Sequence, residues 1–167
     1  MVMAFDCFLK IDGVTGECTD DKHKEWIEVL SYSHGVSQAS SGSSSSGGGR
    51  SAERCDHEDL SIVKVLDKTS PKLALFCCKG EHVASIKIEM CRASGDKQKY
   101  MGYNLSDVIV ASVRPGGSSQ GGEDLPLEEV SFNYGKIEWI YTETDHKTGR
   151  SKGDVSTHWD LVTNKGG

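Results

Sequence analysis

The chain has 167 residues and a net charge of −6, with 19 Lys and Arg against 25 Asp and Glu. That length supports one well-formed core and leaves little room for a second domain, so residues 1–167 are read as a single domain. Charges of both signs are interspersed with no basic stripe, which speaks against a nucleic-acid partner and mainly for solubility.

The N-terminus, MVMAFDCFLKID, places Asp6 and Lys10 where a signal peptide needs apolar residues, and no basic segment precedes it. No conventional signal peptide is expected. No run approaches the about 18 apolar residues that cross a bilayer, so no membrane insertion is expected either. Synthesis in the cytosol follows as an expectation, and the six cysteines, at positions 7, 18, 55, 77, 78 and 91, are then expected to be reduced and mostly buried. Within the same segment Phe5, Cys7, Leu9 and Ile11 share one parity against Asp6, Lys10 and Asp12, with Phe8 the exception. This predicts a half-buried strand that ends in an Asp12-Gly13 turn. A second strand is predicted from Glu25 to Ser33. Ile27 and Val29 lie on one side, and Trp26, Leu30 and Tyr32 on the other. A strand apolar on both faces is either buried twice or set against a partner chain.

Composition then collapses: Gln38 to Gly49 is almost all Ser and Gly. Such a stretch cannot bury enough apolar area to order itself, so residues 35–58 are expected to form a long protruding loop within the domain. A β-branched run resumes at Leu60 to Leu66. The segment from Ser70 to Gly80 predicts the single helix, with Ser70 as cap, Pro71 in the first turn, Gly80 as left-handed exit and Leu73, Phe76 and Cys77 as packing face. Val83 to Arg92 alternates with Ala84, Ile86, Ile88 and Met90 inward, and Lys99 to Val113 is another long strand. A second Gly/Ser loop runs to Pro126. Val130, Phe132 and Tyr134 then share one parity, and Ile137, Trp139 and Tyr141 the other. A flip at Gly135 predicts a β-bulge or a tight turn. A short strand near Thr157 to Leu161 precedes a polar tail. The sum is a mainly β chain of about eight strands: a closed β-barrel of two sheets, or a tight sandwich, with one short helix packed outside and a long extended loop.

The catalytic inventory is thin. Gly117-Ser118-Ser119-Gln120-Gly121 matches the G-x-S-x-G nucleophile elbow in form, but no helix is predicted after it. Cys55-x-His57 and Cys77-Cys78 lack the paired knuckles of structural zinc, so no metal is expected. The histidines are dispersed and no cysteine carries a local activating signature. Glu128 and Glu129 point to opposite faces of a strand, which does not suit a glycosidase pair. Phosphate-binding glycine motifs are absent. Neither enzymatic activity nor a cofactor is expected. Trp26, Trp139 and Trp159 are each open to a core, interface or ligand-stacking role; Trp139 is expected in the core, because it alternates with Ile137 and Tyr141, while Trp26 stays more ambiguous.

Three stretches, AFDCFLKIDGVTGECTDDKHKEWIEVLSYSHGVSQ, AERCDHEDLSIVKVLDKTSPKLALFCCKGEH and SDVIVASVRPGGSSQGGEDLPLEEVSFNYGKIEWIYTETD, closely resemble the Hcp family, the haemolysin-coregulated proteins of bacterial type VI secretion systems. The resemblance covers the chain apart from its first two residues and the Gly/Ser insert near 39–49. It implies a two-sheet β-barrel with a helix alongside, matched here by Pro71 to Lys79. It also implies a homohexameric ring with an open channel, stacked into the inner tube of a contractile injection machine. Implied partners are further rings, the spike and sheath proteins, and small effector proteins sheltered in the lumen. The protein would leave the bacterial cytoplasm through this machine without a cleaved signal peptide.

The segment 34–57 matches the family's extended loop, which contributes to contacts between protomers or rings. Its Ser/Gly tip argues against a rigid role there, so the loop ends are the better candidates. Trp26, Leu30, Tyr32, His34, Val36, Gln38, Arg54 and His57 are accordingly the candidate subunit-interface residues. The alternative function is a free-standing β-barrel that binds a small ligand. A hydrolase using Ser119 or a cysteine is a third.

Overall fold

The computed structural model describes residues 5–41, 51–93, 97–120 and 125–167. The elements run β1 (Asp6–Ile11), β2 (Ile27–Val29), β3 (Ser31–Ser33), β4 (Val36–Ser41), β5 (Ser51–His57), β6 (Leu60–Val65), α1 (Ser70–Lys79), β7 (His82–Cys91), β8 (Lys99–Gly116), β9 (Leu127–Thr144), β10 (Ser151–Asp160) and β11 (Lys165–Gly166). Nine strands join in one antiparallel sheet, in the order β11-β10-β9-β8-β7-β1-β2, with β6 pairing both β9 and β3. The strands β4 and β5 form a separate two-stranded sheet. Among the described residues the chain is thus mainly β, with two sheets and one short helix. Among the described residues no sheet closes on itself, so the expected closed barrel is not drawn by strand pairing alone.

The predicted strand 25–33 is two strands. β2 pairs with β1, β3 pairs with β6, and Leu30 between them is 56% exposed while its N–H donates to the Val63 carbonyl. The long strands β8 and β9 organise the rest. Along one edge β9 meets β8; its other edge serves β6 over residues 127–132 and β10 over residues 136–144. Inward residues Leu9, Ile11, Leu60, Ile62, Ile86, Ile88, Leu105, Val110, Phe132 and Ile137 meet in the main core. α1 lies against β8 and adds Leu73 and Phe76 to that core, with Cys77 half-buried beside them.

Several expectations change. Ser70 does not cap α1. Thr69 occupies that position without a side-chain cap bond, and the Ser70 hydroxyl turns instead to Glu128 Oε2, 2.7 Å away. Gly80 does take the left-handed exit, at φ 61°, with its N–H on the Cys77 carbonyl and the Glu81 N–H on the Phe76 carbonyl. The ends of the predicted loop are paired strands: Val36 lies opposite His57, Ser37 opposite Asp56 and Gln38 opposite Cys55. A ladder of main-chain hydrogen bonds satisfies the backbone there without requiring apolar burial of alternate residues. The predicted tip, 42–50, lies outside the described residues. The expected short last strand starts earlier, at Ser151, where it pairs with β9; its first residues are polar and exposed, so no apolar alternation marks them in the sequence. The polar tail is also paired, since Gly167 exchanges two backbone hydrogen bonds with His158.

The parity flip is real, but Gly135 is not a bulge. Across it the pairing of β8 with β9 keeps one register, from Ser106↔Lys136 to Val108↔Tyr134. The irregular residue is Asp107, at φ 52°. The flip is shared by three neighbouring strands: buried Val83 and Ile86, Leu105 and Val108, and Tyr134 and Ile137 each bracket two less buried residues. Ala84, expected inward, is therefore exposed. Gly135 makes room for the kink, because a Cβ there would lie 2.9 Å from Asp107 Oδ2.

The exception at Phe8 is explained by a second, smaller core on the outer face of β1 and β7. The segment between Gly16 and Trp26 folds back across that face, tied by hydrogen bonds from Gly16 N–H to Glu25 O and from Cys18 N–H to Trp26 O. Phe8, Cys18 and Cys91 are buried beneath it, with Trp26 packed at their side.

Candidate functional site

The base of the β4–β5 hairpin sits on a cluster of aromatic rings. His34 has just left β3 and His57 ends β5, so the hairpin brings both imidazoles over β8 and β9. The His34 ring lies 5.8 Å from both Tyr103 and Tyr134 and 6.4 Å from Trp139. The His57 ring lies 5.9 Å from Tyr134 and 6.5 Å from Trp139. His57 Nδ1 is 3.1 Å from the Tyr134 hydroxyl, which donates to the Glu58 carbonyl at 3.3 Å. Neither nitrogen of His34 reaches a hydrogen-bond partner in normal geometry. Burial lowers its pKa below the ordinary 6.5, opposed by the nearby Glu58 backbone, and burial lowers His57 as well. Low-dielectric surroundings disfavour the charged ring in both cases.

Beside this cluster an open, mainly apolar groove of about 450 Å³ runs between the hairpin and the C-terminal strands. Val36, Gln38, Cys55 and His57 form one wall, and Trp139, Thr157, Trp159 and Gly166 the other. Val155 and Tyr141, paired across β10 and β9, are 65% and 49% exposed and add apolar surface on those two strands.

Five of the eight sequence-derived candidates gather here. Val36, Gln38 and His57 line the groove, His34 lies in the aromatic cluster beside it, and Tyr32 joins that cluster through Tyr103, 5.9 Å away. Arg54 is exposed on β5. Trp26 and Leu30 lie elsewhere. Trp26 is in the second core, with its ring edge to His23 at 4.7 Å, and Leu30 borders a cleft with Glu17, Val65 and Leu125. Tyr134 and the terminal glycines were not foreseen as part of this surface, and Trp159 was left open between core, interface and ligand stacking. Trp159 was reachable, since it sits in the short strand that the sequence predicts.

The candidates for chemistry stay apart. Ser119 lies in an exposed turn after β8, and the next element is the strand β9, not a helix. Burial raises the thiol of Cys7 to about 12 and that of Cys91 to about 11, which works against a thiolate nucleophile. Cys55 contacts only the Asp56 carbonyl, at 3.7 Å, among the hydrogen bonds of the described residues.

Residues 8–141 match a family model described as type VI secretion system effector, Hcp. The chain is similar to Protein hcp1 of Pseudomonas aeruginosa, with 38% identity over 163 residues, covering 97% of this chain and 98% of that protein. It is 26% identical over 136 residues to the Major exported protein of the same organism, covering 75% and 74% of the two chains. Among solved structures, one described as a type six secretion system protein superposes with a TM-score of 0.91 at 34% identity, covering 98% of this chain and all of that one. Hcp1 from Salmonella typhimurium follows at 0.78 and 31%, covering 98% and 99%.

Proposed function

The chain belongs to the Hcp family of type VI secretion system effectors, and on that premise we propose that it is a structural subunit of the system's inner tube rather than an enzyme. Six copies close into a ring, rings stack, and the channel carries or protects small effector proteins. The spike and sheath proteins of the machine are its other partners. The protein is made in the bacterial cytoplasm and exported by the machine without a cleaved signal peptide.

The observation that carries this reading is the β4–β5 hairpin, whose strands pair with no strand of the main sheet among the described residues. A lone two-stranded hairpin is marginally stable in water, so a neighbouring surface that accepts it is favoured. The hairpin supplies one wall of the apolar groove and β9 and β10 the other, so we assign this groove to one side of a head-to-tail ring contact, which needs a second, different surface on the neighbouring copy to meet it. The finer barrel description belongs to the same proposal. β2 is paired to β1 and β3 to β6, so residues 27–33, taken as one bent strand, bring the two free edges of the wall together.

The rival reading, a free-standing barrel that binds a small ligand, calls for a hollow interior. The interior positions of the long strands are instead filled by side chains such as Leu105, Val108, Phe132 and Ile137, all at 0% exposure. Negative-stain imaging with sedimentation velocity on the purified chain tests the proposal. Rings with a central hole and a mass near six subunits are expected. A monomer persisting at high concentration sinks it.

A further inference from the structure

Three potential ligand atoms meet under the segment that covers the outer face of β7: His23 Nε2, a Glu89 carboxylate oxygen and Cys91 Sγ, all within 4.8 Å of one another. No other such group occurs among the described residues. We propose that this is a binding site for one divalent metal ion of the zinc type, held by His23, Glu89 and Cys91, and that it fastens the segment 16–26 to the sheet.

Glu89 and Cys91 are two apart on β7, so both face outward, away from the main core. The register of β7 against β8 slips between Met90 and Cys91, the kind of irregularity that re-aims a side chain. His23 comes from the covering segment and is 3% exposed. Its ring is held on every side. Phe8 stacks on it at 4.1 Å and 8°, and Trp26 meets it edge-on at 4.7 Å and 87°. Asp20 Oδ2 lies 2.8 Å from Nδ1, and Asp20 is itself fixed by Lys97 at 2.9 Å. A carboxylate on the far nitrogen is the usual second-shell device for aiming a histidine at a metal. Here it points Nε2 at Glu89 Oε2, 2.8 Å away, and Cys91 Sγ, 4.0 Å away. Ligands around a tetrahedral zinc stand about 3.3–3.6 Å apart. The two histidine distances bracket this, and the Glu89 and Cys91 ligand atoms, within 4.8 Å of each other, close on the ion by rotation of the partly exposed Glu89 side chain. A nitrogen, a sulfur and one carboxylate oxygen are a donor set that suits zinc and not magnesium or calcium.

Access is also present. An open cleft of about 450 Å³ lies over these residues, bordered by Lys22, Lys97, Lys99 and Asp154, and leaves the fourth position to water. Cys91 would bind as the thiolate, its proton leaving to solvent as the metal enters. Without the metal, the same geometry is a histidine ring hydrogen-bonded on both sides, to Asp20 and to Glu89, so the two descriptions compete directly.

Titration of the whole, reduced chain with Co(II) under anaerobic conditions separates them. The expected result is one Co(II) per chain, a sulfur-to-cobalt charge-transfer band in the near ultraviolet, and loss of that band on adding Zn(II). Cys91→Ser should abolish the band, and Glu89→Gln, a change at a partly exposed side chain, should weaken uptake at least tenfold with the fold retained by circular dichroism. Zn(II) should raise the thermal midpoint of the native chain and not of Cys91→Ser. Absence of a band, or a band that survives Cys91→Ser because Cys55, Cys77 or Cys78 supplies the sulfur, overturns the proposal. So does an imidazole nitrogen resonance of His23 that Zn(II) leaves unchanged.

Discussion

Lys64 breaks the pattern of its own strand. It shares the inward parity of Leu60 and Ile62, and it is fully buried. Its Nζ lies 2.8 Å from Glu128 Oε2 and 3.0 Å from Asp67 Oδ1, and it also donates to Ser70 Oγ and the Val65 carbonyl. This network ties β6 and β9 to the start of α1. Lys64→Ala would leave Glu128 charged and buried without its cation, a loss of about 3–5 kcal/mol. Urea denaturation measures it, and Lys64→Met combined with Glu128→Leu should recover most of the loss, because a buried pair replaced by apolar groups is often neutral. Asp20 gives a second prediction at this scale. Hydrogen bonds from His23 and then Lys97 hold its carboxyl at about 2, below the ordinary 3.8. A depressed carboxylate contributes its stability fully above the ordinary value and loses it as pH falls toward the folded value. Stability of the native chain should therefore fall more steeply than that of Asp20→Asn between about pH 4 and pH 2, as followed by denaturant midpoints.

Among the elements, the shared kink through β7, β8 and β9 shows how a sheet changes face without losing register. Asp107 adopts a positive φ, rare for a non-glycine residue, and its side chain leans over Gly135. Gly135→Ala would place a Cβ 2.9 Å from Asp107 Oδ2 and 3.2 Å from Asp107 Cβ. Overpacking of this kind costs about 1–3 kcal/mol. Asp107→Gly in the same chain should return much of it, since it removes both the clash and the strained side chain. Thermal unfolding of the two single variants and the double variant reads the coupling. From sequence the flip was visible at Tyr134 and Ile137, but its cause was assigned to the glycine because the strained residue lies on another strand. The hairpin shows the reverse limit. Its Ser-rich strands carry no alternation, so their pairing could be found only in three dimensions.

For the whole molecule, assembly is the decisive property. Val36 is 49% exposed on the wall of the aromatic groove, so a charge there leaves the subunit's own core untouched. Val36→Asp should keep the fold and shift the sedimentation profile from rings toward single subunits, because a desolvated charge at an interface is strongly disfavoured. Lys68→Asp, an exposed change away from the groove, is the matched control and should assemble as the native chain does.

Alternation along the backbone was enough to mark β1 and the row Val130, Phe132 and Tyr134 of β9, and end residues with an apolar face marked the single helix, because a strand or helix buried on one side writes its period into the residues. The two-sided stickiness of the second strand was visible in the same way. What that stickiness meant was decided by the tertiary structure: Trp26 turned into a second core, Leu30 faced outward, and Tyr32 joined the aromatic cluster. The meeting of His34 and His57 over Trp139, the burial of Lys64 and the approach of His23 to Glu89 and Cys91 were likewise out of reach of the sequence. Each joins residues far apart in the chain through strand pairing, and local periodicity carries no information about which strands will be neighbours.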